Sequence, residues 1–560
     1  MSRRRKIVFL LVALFFVAMV FLISLGGRIP PNSVLVLELG GFIEDQSPPD
    51  PWARFTGPKV TVTHDVLNAI DAASRDPRIV GLVVKITPST AGWAKLEEIR
   101  ARLQEFRQSN KPNICYLAAD ILTNREYFLA TGCEKVWLVP TAVVGTVGLM
   151  ASSTFLRGSL DKLGVEPNMF GTGEYKTYRN QFTEKSFTPA HREMTVSLVE
   201  SLYQRYVEAA AKARKIEPKE FDKLLRAGPY LPSEAVEKRL VDRFAYWDQV
   251  QEHFREQAGD WQPVELDRYA QQIPNTGSQT IAVINATGAI YTGKSGHDSW
   301  EGYIMGADTV AADIRRARED DNVAAIVLRV DSPGGSVVAS EIIRREVLRA
   351  KEAGKPVVAS MADTAASGGY WISMSASKIV AEPSTITGSI GVVFGKMNIA
   401  GLYKLLGLST DHYATSSNAT LLYEQQNFSP EQRAVVERFI VDNYEQFKQG
   451  VAEGRKLDIK KVEEIARGRV WTGAQAKEHG LVDEFGGMDR ALALARELAG
   501  IGADEKVRIL RLPEERGLFE MFFSVLPSTV RSEGLTERLH RAARARPWLE
   551  ARMPFELEIR

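Results

Sequence analysis

Cysteine and histidine are scarce in this chain of 560 residues: two of the first, Cys115 and Cys133, and seven of the second. Two thiols cannot build a disulfide scaffold or a four-thiolate zinc site. The histidines are scattered, and neither an HExxH nor a CxxC spacing occurs, so no metal or other cofactor is expected. An excess of one charge is missing too. Lys plus Arg total 71 against 70 for Asp plus Glu, which leaves no global basic field for nucleic acid. Wholesale disorder is excluded by a hydrophobic content of 44% with 25% charged residues. Hydrophobic runs of membrane length are absent except at residues 7–27, which are uncharged and follow Arg3-Arg4-Arg5-Lys6. A run near 20 residues spans a bilayer as a helix. It exceeds a signal-peptide core, and Ser24-Leu25-Gly26-Gly27 is a poor cleavage site. The expectation is a cytoplasmic segment at 1–6, an anchor at 7–27, and everything after Arg28 outside the cytoplasm. The stretch Leu518–Leu526 is too short and too charged to span, and is expected to bury against a partner subunit.

What is present, above all, is repetition. Asp76–Ile86 matches Asp320–Val330, Lys111-Pro112 matches Lys355-Pro356, and Tyr127 matches Tyr370. Val144–Gly148 matches Thr387–Gly391, Phe187-Thr188-Pro189 matches Phe428-Ser429-Pro430, and Leu240-Val241-Asp242 matches Leu481-Val482-Asp483. The offset drifts only from 244 to 241 along these blocks, so the chain holds two copies of one domain. The copies are expected at 28–273 and 278–500, with a polar linker between them and an extension at 501–560. Each reads as alternating strand and helix. Val80–Ile86 and Ala324–Val330 are buried-strand runs, and Val337–Glu352 carries apolar residues at helical spacing. Strand–helix–strand order with buried strands implies an α/β fold with parallel pairing.

A duplicated domain supplies its own control. After its first repeated strand the second copy has Asp331-Ser332-Pro333-Gly334-Gly335-Ser336, where the first has Thr87-Pro88-Ser89-Thr90-Ala91-Gly92. Paired glycines let a backbone approach a ligand and aim N–H groups at it, although Pro-Gly-Gly by itself is a common turn. Ser367, in Ala365-Ala366-Ser367-Gly368-Gly369, stands opposite Asn124. Such a serine either caps a helix or acts as a nucleophile beside backbone donors, with Gly368 and Gly334 or Gly335 as candidate oxyanion donors. No histidine lies in these blocks, so the candidate base is a lysine. Lys176, in Gly173-Glu174-Tyr175-Lys176, has no lysine counterpart in Thr415–Thr420 of the second copy. One copy holds a base and the other a nucleophile.

At these residues the chain resembles the signal peptide peptidase A family, in its long, duplicated form. The marks are Ala366–Trp371, Thr387–Gly391 and Gly173–Lys176, and the likeness covers nearly everything after the anchor. The resemblance implies two tandem copies of a Clp protease/crotonase-like domain, with Asp331–Gly335 as the oxyanion turn. It implies Ser367 as nucleophile and Lys176 as general base of a serine endopeptidase that degrades signal-peptide remnants and similar hydrophobic peptides. It further implies a homotetramer in the bacterial inner membrane with its catalytic domain in the periplasm. Two rivals remain: a crotonase-like acyl-CoA enzyme and a non-catalytic membrane scaffold. Cys115 and Cys133 are expected as buried free thiols. The basic segment Arg538–Arg552 is expected as a solvated helix face.

Overall fold

The computed structural model describes residues 28–48, 57–298, 302–502 and 504–514, and the backbone of 550–552 and 558–559. The expected anchor, Leu518–Leu526 and most of Arg538–Arg552 lie outside the described residues. Among the described residues no helix is long and apolar enough to cross a membrane.

Each repeat is built on a central sheet. In the first, the strands run in the order Arg243–Phe244, Lys135–Leu138, Asn113–Leu117, Ile79–Ser89, Ser33–Glu44 and Gln262–Glu265, all parallel. In the second, Val357–Ala366, Val323–Ser332, Gln279–Thr287 and Val507–Leu512 run parallel in that order. The β-branched runs read in the sequence are these strands, and both faces are covered by helices, as parallel sheets require. Val507–Leu512 sits beside Gln279–Thr287 as Gln262–Glu265 sits beside Ser33–Glu44. The second repeat's sheet therefore runs past the boundary expected at 500.

The duplication reaches single hydrogen bonds. Lys111 Nζ donates to the carbonyls of Ala73 and Asp76, and Lys355 Nζ to those of Ala317 and Asp320. Tyr127 and Tyr370 donate their hydroxyls to the carbonyls of Leu240 and Leu481. Two 26-residue helices, Pro189–Arg214 and Pro430–Arg455, begin on a capping Thr188 and Ser429, each with proline at the first helical position.

The repeats share a core. Val283, Val327 and Val358 on one face of the second sheet pack with Leu67, Ile70, Leu96 and Ile99 from helices Thr63–Arg75 and Trp93–Phe106 of the first repeat. Ile284, Ile326 and Leu328 on the other face pack under the second repeat's own helices Ala307–Glu319 and Val337–Glu352.

One expectation is overturned: Cys115 and Cys133 are not free thiols. They form a disulfide with Cα atoms 5.6 Å apart. Strand Asn113–Leu117 lies beside Lys135–Leu138 with Cys115 opposite Val136, which brings Cys133, at the end of the preceding turn, next to Cys115.

Candidate active site

Strand Val357–Ala366 delivers Ser367 to the top of the second sheet, and helix Gly368–Ser373 starts immediately after it. Ser367 has φ 56° and ψ −113°, a conformation that residues with a Cβ rarely adopt and that clusters at functional sites. It sits where a helix cap would, yet its side chain caps nothing. A Cβ on Gly369 would lie 2.6 Å from the Ser332 carbonyl, so the small residues around Ser367 admit the neighbouring turn.

The hydroxyl instead meets the other repeat. Strand Glu166–Gly171 of the first repeat pairs antiparallel with Val393–Asn398 of the second, from Glu166 opposite Asn398 to Gly171 opposite Val393. The loop that follows carries Lys176 into the second repeat. There Lys176 Nζ lies 2.7 Å from Ser367 Oγ, 3.0 Å from Ser389 Oγ and 3.1 Å from the Ser389 carbonyl. All three residues are fully buried. Ser389 was not singled out in the sequence, although it lies within the repeated Thr387–Gly391 block. Its hydroxyl and its carbonyl both accept from the Lys176 amine.

Two glycines seat the lysine loop. Gly173 has φ 72°, and a Cβ there would come within 2.3 Å of the Arg467 carbonyl. Gly468 has φ 81°, and its Cβ would come within 2.4 Å of the Lys176 backbone nitrogen. Gly468→Ala is therefore expected to push the lysine off the serine and lower kcat by about 10²-fold, the scale associated with a 1 Å misplacement. Steady-state kinetics on the folded variant check this, and a kcat within threefold of the parent contradicts it.

The turn after strand Val323–Ser332 closes the site. The Gly334 N–H donates to Ser332 Oγ at 3.2 Å, and that hydroxyl donates to the Gly288 carbonyl at 2.7 Å. Gly335 has φ 157°, and a Cβ on it would sit 2.1 Å from the Ile290 carbonyl. In the first repeat Asn124 occupies the place of Ser367. It ties down the neighbouring loop, donating to the Gly148 carbonyl at 2.8 Å and accepting from the Val147 N–H at 3.2 Å.

The family model "Peptidase family S49" matches residues 105–260 and 349–502. The chain is 37% identical to Protease 4 of Salmonella typhi over 451 residues, covering 78% of this chain and 72% of that one. It is 33% identical to the chloroplastic serine protease SPPA of Arabidopsis thaliana over 500 residues, covering 87% and 72%. Against Protease 4 of Haemophilus influenzae the identity is 31% over 536 residues, covering 90% and 85%. The chain belongs to peptidase family S49. It is a serine-type peptidase of that family, with the signal peptide peptidase A resemblance borne out. Among solved structures, a ClpP1 variant from Listeria monocytogenes matches at 14% identity and a TM-score of 0.24, covering 38% of this chain and 94% of that one.

In this S49 peptidase a buried ion cluster lies beneath the site, and nothing in the sequence pointed to it. Lys95, on helix Trp93–Phe106 of the first repeat, places Nζ 2.8 Å from Asp331, 3.3 Å from Glu44, 3.8 Å from Asp363 and 3.9 Å from Asp45. Burial opposes its charge, but Asp331, Asp45, Asp363 and Glu44 outweigh burial and raise Lys95 well above an ordinary lysine. Asp363 lies on the strand that ends at Ser367, and its carboxylate accepts from the N–H groups of Gly92 and Lys95 at 2.8 and 2.9 Å. It thereby caps a helix of the opposite repeat. The equivalent helix of the second repeat is capped by its own Ser336. Burial, helped by Asp331 and opposed by Lys95, raises the Asp363 carboxyl above its ordinary range. Alongside, Arg329 bridges Glu98 at 2.7 Å and Asp45 at 3.1 Å. Asp331 and Asp363 lead into the glycine turn and into Ser367, so this cluster joins the repeats at the base of both.

Proposed function

We propose that this S49 peptidase is a membrane-anchored endopeptidase in which Ser367 is the nucleophile and Lys176 the general base. The observation that carries the reading is the 2.7 Å approach of Lys176 Nζ to Ser367 Oγ, two buried groups 191 residues apart in the chain. The cycle starts from the neutral amine. Lys176 takes the Ser367 proton as Oγ bonds to the peptide carbonyl carbon, and the amide C–N bond breaks as Lys176 returns that proton to the leaving nitrogen. Water, deprotonated by Lys176, then releases the acyl group. The oxyanion rests on the N–H groups of Gly368 and Gly335, since Gly334 already donates to Ser332. Ser389 keeps the amine aimed at Ser367.

Hydrophobic extended peptides, including signal-peptide remnants, are the proposed substrates, and a homotetramer the proposed assembly. Residues 7–27 are the proposed anchor, with the catalytic repeats on the periplasmic side. The Cys115–Cys133 disulfide supports that side, because disulfides persist in oxidising compartments. The lysine–serine contact and the peptidase relatives favour this reading over an acyl-CoA enzyme or a scaffold. A fluorophosphonate probe on the detergent-solubilised full chain is expected to label Ser367 and to leave Ser367→Ala unlabelled. Labelling of another residue, or none on the parent chain, overturns the assignment. Protease added to intact spheroplasts is expected to digest the repeats from outside, and full protection there reverses the topology.

A further inference from the structure

Strand Val357–Ala366 does not run straight to Ser367. Against Val323–Ser332 its pairing advances residue by residue from Val357 opposite Ile326 to Met361 opposite Val330, and then jumps to Ala365 opposite Ser332. Asp331 therefore faces Ala362, Asp363 and Thr364, and the strand carries a bulge just before the serine. The strand also changes its other neighbour there. Before the bulge Val358–Met361 pairs with Lys378–Ala381, and after it Thr364–Ala366 pairs with Ile386–Gly388. The change lays Ser367 beside Gly388, whose carbonyl accepts from the Ser367 N–H at 2.8 Å. Ser389 comes next in the chain, so the bulge delivers the serine to the place where Lys176 Nζ meets both hydroxyls. Bulges beside active sites re-aim side chains in this way.

The bulged main chain is held from both sides. The Ala362 carbonyl accepts from Thr385 Oγ1 at 2.9 Å, and the Thr364 N–H donates to Asp331 Oδ1 at 3.0 Å. The other carboxylate oxygen of Asp331 lies 2.8 Å from Lys95 Nζ, which comes from the first repeat. The first repeat itself lacks this arrangement: Thr87 stands where Asp331 stands, and Asp120, in the place of Asp363, is exposed. Resting on the peptidase reading, we infer that Asp331, braced by Lys95, is a positioning residue that holds the bulge and so sets the Ser367 hydroxyl against the Lys176 amine. A main-chain N–H that loses its acceptor inside a fold must find another, and the bulge then relaxes toward regular pairing. Ser367 moves with it.

The test compares Asp331→Ala with Asp331→Asn in the detergent-solubilised full chain. Asparagine keeps an oxygen for the Thr364 N–H in nearly the same volume, and alanine keeps none. Lys95 retains Glu44, Asp45 and Asp363 in either variant, so both are expected to fold. The readouts are kcat and KM on a chromogenic peptide, with the rate and the final stoichiometry of fluorophosphonate labelling. Asp331→Ala is expected to lower kcat and the labelling rate together by about 10²-fold, the scale of a 1 Å misplacement. KM should stay within threefold, and labelling should still end at one per chain. Asp331→Asn is expected to recover roughly tenfold of the loss, because it keeps the hydrogen bond. A role confined to stability gives another result: fewer chains label, each at the parent rate, and that overturns the proposal. So does an alanine variant within threefold of the parent, or an asparagine variant no faster than alanine. Should the alanine chain not fold, Asp331→Thr repeats the test with the residue the first repeat carries there, and the same outcomes decide it. The dyad is judged separately, by whether Ser367→Ala abolishes turnover and labelling.

Discussion

Ser367→Ala and Lys176→Ala are each expected to lower kcat by at least ~10³-fold, and the double variant to be no slower than either. Two groups that pass one proton between them act as a unit, so removing the second after the first costs nothing further. KM is expected to change little, because neither side chain is needed to hold an extended peptide by its main chain. Lys176→Arg is expected to be as inactive as Lys176→Ala, since guanidinium stays charged at any usable pH and cannot accept a proton. The parent rate should rise with pH through one ionisation on the basic side, with no limb near ~6.5, the ordinary histidine value. Steady-state kinetics on a chromogenic peptide across pH 5–10 read all five chains. Turnover in Lys176→Arg, or substantial activity in either alanine variant, removes the dyad.

Lys95→Met is expected to weaken the fold by about 3–5 kcal/mol, the range for breaking a buried ion pair from one side. The methionine fills a similar volume, so the loss is that of the charge among Asp331, Asp363, Asp45 and Glu44. The pH dependence fixes the cause. Asp363 and Glu44 are already raised above their ordinary values, mainly by burial. A carboxyl raised in the fold holds a proton that the unfolded chain has shed, so it subtracts stability as pH climbs from its ordinary value through its raised one. Removing Lys95 pushes these groups up further, so the deficit is smallest in acid and largest at neutral pH. Urea unfolding at pH 5 and pH 8 measures it, and Lys95→Met/Asp331→Asn should recover part of the loss. An equal deficit at both pH values would mean that packing is the cause.

The central sheets were legible because their strands are continuous apolar runs and because each appears twice. Ser367 and Lys176 were legible for a different reason: the opposite copy has Asn124 in place of the serine and no lysine in place of the base. The same comparison is blind to any group that both copies retain in kind. Ser389 stands opposite Thr146, another hydroxyl, so nothing marked it until Lys176 was seen against it. Lys95 was invisible because its acidic partners lie on three separate stretches of both repeats, and a lone lysine on a helix reads as a solvated charge. The disulfide depended on two strands being neighbours, which sequence spacing does not state. Glu550–Arg552 has no strand pattern at all. Its backbone pairs with Gly334–Ser336 and with Val393, contacts that local sequence does not announce.

The proposed base and nucleophile, 191 residues apart, also set a clock. At roughly 5–20 residues per second of synthesis, Ser367 emerges about ten to forty seconds after Lys176. Strand Val393–Asn398, which pairs with the strand leading to Lys176, comes later still, and Gly468, which seats the lysine loop, later again. Under the proposed dyad, no nascent chain that stops short of Ser367 holds both groups. On this reading the pair is complete only once the second repeat has packed against the first.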